Sequence, residues 1–501
     1  VSIMSIFRRL IFFITALSLA FLPYIKSFIV YDEGEVFDLR QIEAGAWQGE
    51  NIFLNGKNLP FDLKKGHSQK DAPYPTFGFD DELLLEFAKD DSKAFNYYGL
   101  CLETNCPLKG EITYLSAGKE YAEEFFLNSE SGTQNFFSFT DSYFEKIKGI
   151  EVKSLRFENL GSERANLVFM GMELFNRRVL GETVFIKNQN YKIGVSLQWG
   201  GSLSYARYLR KNIQAVKTKD GVKVGVDALK NYGGILLTSK VNLINRNDTG
   251  RVVQQSYYGT NGSLDSYKRG EFMGHKWNYN PVQGGNQFGD ASKIVDCRIG
   301  SDYIYIKCRP MDWAKPADCI TPSYMEATYR LKIDLIEVDC KFTDFSGWTP
   351  TYTSQEVPAF YPIEPLNSFR FYEGDRPWQD DPNVRREDNL EFWAYAHDQV
   401  YQATENWSAW TNTEDDGFGL GLYVPDVPLI KSGVFERGGK MKADPSKSSP
   451  TSYTAALHSV AFESFKPLEY SYLIAAGNLS EIRDIFKQNK DLISNQKLLN
   501  Y

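Results

Sequence analysis

Short strand-like runs separated by turn residues follow one another along almost the whole chain, and they leave room for little else. EITYLSA, AEEFFLN, QNFFSFT, EVKSLRFENL and NLVFMGMELF come early. SDYIYIKCRP, MEATYRLKIDLIEVDCKFTDF, NSFRFYEG, NLEFWAYA, GFGLGLYVP and PTSYTAALHSVAFESF come later. They are rich in β-branched and aromatic side chains, several alternate apolar with polar residues, and turn formers separate them. One segment has a clear helical period: LSEIRDIFKQNKDLISN places Ile482, Ile485 and Phe486 on one face, with Ser480 near its start as a cap. The expected fold class is therefore all-β with a short C-terminal helix. A chain of 501 residues also exceeds one small core and calls for two or three domains.

Changes of rhythm suggest the division. Residues 1–30 read as a signal peptide or signal anchor: Arg8 and Arg9 precede an apolar run of 16 residues, Leu10 to Ile25. A spanning helix prefers roughly 20, so cleavage near Ala20 to Ser27 is expected, and any membrane contact would pass through this leader alone. Residues 31–180 form a first module. Its last pair, SLRFENLGSERANLVFMGMELFNR, reads as two long antiparallel strands joined by the loop Gly161 to Arg164. The pattern is similar to the jelly-roll accessory modules of secreted carbohydrate-active enzymes, or else a generic sandwich bracing the next domain. Residues 181–475 have longer strands and richer loops, and Gly200-Gly201 marks a tight turn or close approach. Residues 476–501 form a helical tail.

Charge excludes one partner class. The net charge is −8 and no basic stripe of the kind DNA or RNA requires is present. Six cysteines suit an oxidising destination, so the protein is expected to be secreted, periplasmic or at the cell surface. Local disulfides Cys101–Cys106, Cys297–Cys308 and Cys319–Cys340 are the expectation from spacing, although six cysteines allow other pairings and free buried thiols are the alternative.

The densest signal lies between Val241 and Asn286. Amide, guanidinium and aromatic side chains crowd VNLINRNDTGRVVQQSYYG and GHKWNYNPVQGGN. Sugar hydroxyls need planar hydrogen-bonding partners, and the C–H face of a pyranose needs a flat ring. The expected cleft is built from Trp199, Arg251, Gln255, Tyr257, Tyr258, His275, Trp277, Asn280 and Gln283, with an oligo- or polysaccharide as partner. The competing reading is a polar loop with core aromatics.

These stretches, together with GGSLSYARY, SQEVPAFYP, EGDRPW and GFGLGLYVP, resemble a group of secreted β-sandwich proteins that look related to the galactose-mutarotase-like super-sandwich. The resemblance covers about Val184 to Glu469 and implies a polar strand end on a sugar-holding sheet. Epimerases of that kind use a His and a Glu; here the histidines singled out are His275 and His397.

Three carboxylates suit glycosidic-bond cleavage by an acid and a base or nucleophile. Glu356 in SQEVPAF has apolar neighbours that would raise its pKa. Asp248 sits among amides near Arg251, and Glu405 in TENWSAW lies beside Trp407 and Trp410. Each could instead be a surface or Arg-paired carboxylate. A polysaccharide lyase would instead use Tyr257 or Tyr258 with His275 and Arg251. A binding protein would need the aromatic and amide lining without the carboxylate pair. No cofactor is expected; a structural calcium is conceivable at Glu414-Asp415-Asp416 or Asp380-Asp381. Nucleophile-elbow and phosphate-loop motifs are missing.

Overall fold

The computed structural model describes the chain apart from residues 1–28, 39–48, 55–56, 60–75, 78–80, 88–96, 130–131, 137–149, 180–181, 210–227, 233–234, 239–240, 260–266, 317–319, 348–351, 380–382, 389 and 393–398. The leader segment, His397, Asp380 and Asp381 therefore lie outside the described residues.

The first eleven strands build two antiparallel sheets. One has the order Ile29–Asp38, Ala165–Val179, Tyr97–Thr104, Gly132–Phe136, with Thr76–Phe77 also pairing with Ala165–Val179. The other runs Lys57–Leu59, Gly49–Leu54, Glu82–Phe87, Ile150–Asn159, Leu108–Ser116, Lys119–Leu127. Leu108–Ser116 alternates strictly between buried and half-buried residues, the period expected of a strand with one face on a core. Leu100, Leu102, Ile112, Leu155 and Phe157 fill that core. The two long strands predicted as a hairpin both form but do not pair. Ile150–Asn159 lies between Glu82–Phe87 and Leu108–Ser116, whereas Ala165–Val179 pairs with Ile29–Asp38 and Tyr97–Thr104. The loop at 161–164 thus passes from one sheet to the other. Alternation specifies a buried face but does not specify which strand lies alongside.

The remaining strands form a larger sandwich. Its seven-stranded sheet has the order Met311–Asp312, Pro281–Val282, Gln254–Ser256, Thr353–Phe360, Thr451–Val460, Leu429–Phe435, Val400–Gln402. A nine-stranded sheet runs from Lys293–Ile299 to Val384–Asp388, and a three-stranded sheet comprises Thr183–Lys187, Tyr191–Ser196 and Ser202–Tyr208. Val357, Ile430, Val434 and Ala456 from the seven-stranded sheet share one core with Ile306, Val338, Phe342, Trp410 and Leu420 from the nine-stranded one. Trp410 donates its indole N–H to Thr454 across this interface at 2.8 Å, so a large ring is buried without leaving its polar atom unpaired. The smaller sandwich docks through Val295, Tyr324 and Phe345, which complete its core. The Tyr324 hydroxyl also accepts the Phe126 N–H at 2.9 Å.

The predicted helix is present at Leu479–Asn489, with Ile482 and Phe486 buried. Its cap is Asn478, whose N–H is bonded by Glu481 at 3.0 Å. Ser480, the predicted cap, instead donates to Asp416. No helix among the described residues is long and apolar enough to cross a membrane.

The disulfide expectation does not hold. Cys106, Cys297, Cys308 and Cys340 are buried thiols that form no disulfide, which removes the pairs Cys101–Cys106, Cys297–Cys308 and Cys319–Cys340. Cys319 and the Cys101 side chain lie outside the description. In the hairpin, Cys297 faces Ile306 while Cys308 faces Ile294, so the two thiols occupy different rungs. Burial pushes the Cys308 and Cys340 thiols well above the ordinary thiol range, as in inert apolar packing. The cysteines consequently give no argument for an oxidising compartment. Alkylation without reductant should modify these four thiols in denaturant and spare them in the native protein. A Cys297–Cys308 peptide that stays linked would contradict this packing.

Candidate functional site

The two faces of the seven-stranded sheet are separated by register. Glu356 pairs with Leu457, Lys431 with Ala455, Gly433 with Tyr453, and Phe435 with Thr451. Glu356, Lys431 and Phe435 therefore share with Tyr453 the face opposite the core residues Ile430, Val434 and Ala456. On the neighbouring strand Ser256 lies directly beside Glu356. The register of Thr353–Phe360 shifts between Glu356 and Ala359, the kind of irregularity that re-aims a side chain. Pro358 stands inside that break, where a missing N–H costs no ladder bond.

Glu356 is the centre of this outer face. It is half-buried, and its Oε1 accepts hydrogen bonds from the hydroxyls of Tyr453 at 2.6 Å and Tyr258 at 3.3 Å. Burial pushes the carboxyl above its ordinary pKa, while Tyr453, Tyr258 and the Lys431 ammonium pull it back. The tyrosines feel the reverse: burial, then the Glu356 charge, raises Tyr258 and Tyr453 well above the usual phenol range. They are hydrogen-bond donors and not bases. Tyr258 is fixed by Gln355, whose amide accepts the Tyr258 N–H at 2.7 Å and donates to its carbonyl at 2.8 Å.

Partly exposed rings extend from these two tyrosines. Trp277 meets Tyr258 edge to face at 6.3 Å, and Phe272 packs on both Trp277 and Trp313. On the other side Tyr361 lies 4.9 Å from Tyr453, and Phe392 stacks on Phe435 at 4.1 Å. Phe392 lies over Gly433, where any Cβ would meet its backbone. Arg251 closes this side, bonded to Glu436 at 2.6 Å, to Asp248 at 3.4 Å and to the Ser449 carbonyl.

The amide-rich stretch is mostly internal. Gln283 donates to the Gly200 and Gly201 carbonyls and accepts the Gln255 N–H. Gln255 donates to the Glu326 carbonyl and accepts the Tyr257 hydroxyl. Asn280 donates to the Tyr257 carbonyl and accepts the Trp277 indole N–H. Tyr257 is fully buried against Phe342 at 4.5 Å. Gln255, Tyr257, Asn280 and Gln283 are thus scaffold, because irregular backbone run through an interior must find partners for its peptide groups. Trp199 is half-buried in a 3-10 turn just before Gly200, which adopts φ +54° against the Gln283 carbonyl. His275 is exposed beside the tip of the Gly270–Phe272/His275–Trp277 hairpin, opposite Phe272.

Of the three proposed catalytic carboxylates, only Glu356 occupies the centre. Asp248 caps its own turn, accepting the Gly250 and Arg251 N–H groups at 3.0 Å. Glu405 is elsewhere: it is fully buried, paired with Arg483 at 2.7 Å and bonded by Trp407 and the Trp378 N–H. Asp248 acts on Tyr361 together with Glu356, while the leading influences on Glu356 itself are burial, Tyr453, Tyr258, Lys431 and Ser256. The calcium suggestion at Glu414-Asp415-Asp416 meets carboxylates already engaged, Asp415 with Arg386 and Asp416 with Ser480. Tyr453, Gln355, Tyr361, Lys431, Phe392, Phe435, Phe272 and Trp313 escaped the sequence reading. Lys431, Phe435 and Tyr453 sit on alternating strand positions, the one local signal that could have grouped them.

Neither known protein families nor curated sequences match the chain. Among solved structures it is similar to a protein provisionally assigned as an aldose 1-epimerase from Escherichia coli K12, at 9% identity over 59% of this chain and 99% of that one, TM-score 0.33. A galactose mutarotase-related enzyme from Lactobacillus acidophilus gives 11% identity over 59% and 97%, TM-score 0.29. The alpha-galactosidase from Lactobacillus brevis gives 8% over 59% and 39%, TM-score 0.28. Likenesses this loose do not establish a family, and the reading of the site rests on its own geometry.

Two substitutions separate site from scaffold. Folding favours protonated Glu356, because its folded pKa is raised. That contribution is full below the unfolded value and is lost as pH rises through the folded one. Glu356→Gln should therefore unfold at a higher temperature than wild type at about pH 7.5, the gap closing toward about pH 4. A lower unfolding temperature at neutral pH would show that the ionised carboxylate is stabilising. Arg483→Met strands a buried charge and should cost about 3–5 kcal/mol in denaturant titration; loss of under about 1 kcal/mol would mean the pair is solvated.

Proposed function

We propose that the chain is a carbohydrate-active protein that binds a neutral saccharide on the outer face of its seven-stranded sheet, with Glu356 as the carboxyl that holds or moves a proton there. The observation that carries this reading is a half-buried carboxyl clamped by two tyrosine hydroxyls, with partly exposed rings linked to those tyrosines. Rings supply apolar faces for the C–H side of a sugar, and the carboxyl with its tyrosines supplies hydroxyl partners. A neutral ligand fits because Arg251 is already shared by Asp248 and Glu436, and Lys431 faces Glu356.

Asp248, the carboxylate that shares Tyr361 with Glu356, is engaged with its own turn and with Arg251, which favours recognition, or a single proton transfer, over hydrolysis by a facing carboxylate pair. The lyase alternative is disfavoured because Tyr258 keeps its proton and Arg251 is committed. Export through the leader, division into two modules near residue 180 and kinship with the super-sandwich group belong to the same proposal, supported by sequence pattern.

The test incubates the protein with neutral and uronic-acid glycans, following retention, new reducing ends and absorbance near about 235 nm, where an elimination product absorbs. Retention of a neutral glycan, weakened about tenfold in Glu356→Ala, without a rise in absorbance, is the expected result. New reducing ends lost in Glu356→Gln would restore the hydrolase. Absorbance growth on uronic acids would move the assignment to a lyase.

A further inference from the structure

Tyr258 stands where the sheet stops holding the chain. The pairing of Gln254–Ser256 with Thr353–Phe360 ends at Ser256, opposite Glu356, and continuing that register would set Tyr258 against Ser354. No such rung forms. Tyr257 and Gly259 give their N–H groups to the Pro281 and Tyr279 carbonyls on one side. The N–H and carbonyl of Tyr258 point the other way, and the Gln355 side chain takes both, at 2.7 and 2.8 Å, with a third bond to the Val460 carbonyl at 3.4 Å. Gln355 is fully buried. A single amide thus replaces the missing rung, and it belongs to the residue next to Glu356. Tyr453 needs no such help, because it lies within the regular strand Thr451–Val460, opposite Gly433.

Resting on the reading above that Glu356 is the proton-holding carboxyl, we propose that Gln355 is its positioning residue: the grip on the Tyr258 backbone sets the approach of the Tyr258 hydroxyl to Glu356, and with it how readily Glu356 releases its proton. A hydrogen bond given to a carboxylate stabilises the charged form, and it weakens steeply as its geometry worsens. The Tyr258 bond is the long one, 3.3 Å against 2.6 Å for Tyr453, so a small displacement of residue 258 loses it first. The other groups that act on Glu356 are Tyr453, Lys431 and Ser256, and all three stand on paired strands. Tyr361 feels Glu356 together with Arg251 and Asp248. Gln355 therefore acts through Tyr258.

The test titrates Glu356 by carbon-13 NMR of the full chain labelled at its glutamate carboxyls, the Glu356 line being identified by its loss in Glu356→Gln. Tyr258→Phe removes one donor and should raise the midpoint by about half a pH unit or more. Gln355→Met should move it in the same direction, and the double variant Tyr258→Phe/Gln355→Met should add nothing to Tyr258→Phe alone. Arg483→Met, destabilising but remote, should keep the wild-type midpoint. Should Gln355→Met fail to fold, Gln355→Asn, whose amide falls one methylene short, carries the same comparison. An unmoved midpoint in Tyr258→Phe or in the Gln355 variant, shifts that add in the double variant, or an equal shift in Arg483→Met would overturn this role for Gln355. The titration uses no ligand, so the expected shifts in a chain that retains no glycan would uphold Gln355 as the positioning residue while the saccharide reading fell.

Discussion

An irregular stretch of backbone passes through the interior of the larger sandwich, and everything at the outer face depends on its peptide groups being paired. Residues 241–259 and 278–286 contribute only short strands to the seven-stranded sheet. Side-chain amides take over where ladder bonds are missing: Asn242 on Ala206 and Ser204, Asn245 on the Ser448 carbonyl, Gln283 on Gly200 and Gly201, Asn280 on Tyr257. Leaving such groups unpaired would cost about 1–3 kcal/mol each. Because the network is satisfied, a strand of only three residues, Gln254–Ser256, is enough to hold Ser256 and Tyr258 beside Glu356.

Glu356 is the reverse case, a group whose burial opposes its ionised form. Its carboxyl lies in a dense aromatic setting that opposes ionisation, and two tyrosine hydroxyls and Lys431 offset that in part. An acid perturbed by burial and held by two tyrosine hydroxyls marks a candidate functional position. Glu405 shows the contrast: its full burial is matched by a guanidinium, an indole and a backbone N–H, so the charge is fixed and nothing is left to offer a ligand.

Much of the fold was legible because period-two alternation and turn chemistry are local. Most of the strands, the C-terminal helix and the tight Gly200-Gly201 turn emerged from that level; NLEFWAYA did not, since Leu390 to Phe392 form no strand and its other residues lie outside the described ones. Strand partnership did not, which is why 150–159 and 165–179 were read as a hairpin although they lie in different sheets. Cysteine spacing misled for the same reason, since neighbouring strands placed Cys297 and Cys308 on separate rungs. At the site, Glu356 stood out through its apolar neighbours. The amides were read as ligand-facing although most serve the backbone, and residue types alone cannot separate those roles. Tyr453, Lys431 and Phe392 come from strands and loops far along the chain, so their convergence is a property of topology.

Hydrogen–deuterium exchange of the full chain with and without a retained glycan tests the account most directly. Protection gathered in 254–258, 270–277, 353–361 and 451–457 is the predicted result. Protection confined to the smaller sandwich, or to the Glu405–Arg483 region, would contradict a saccharide site centred on Glu356.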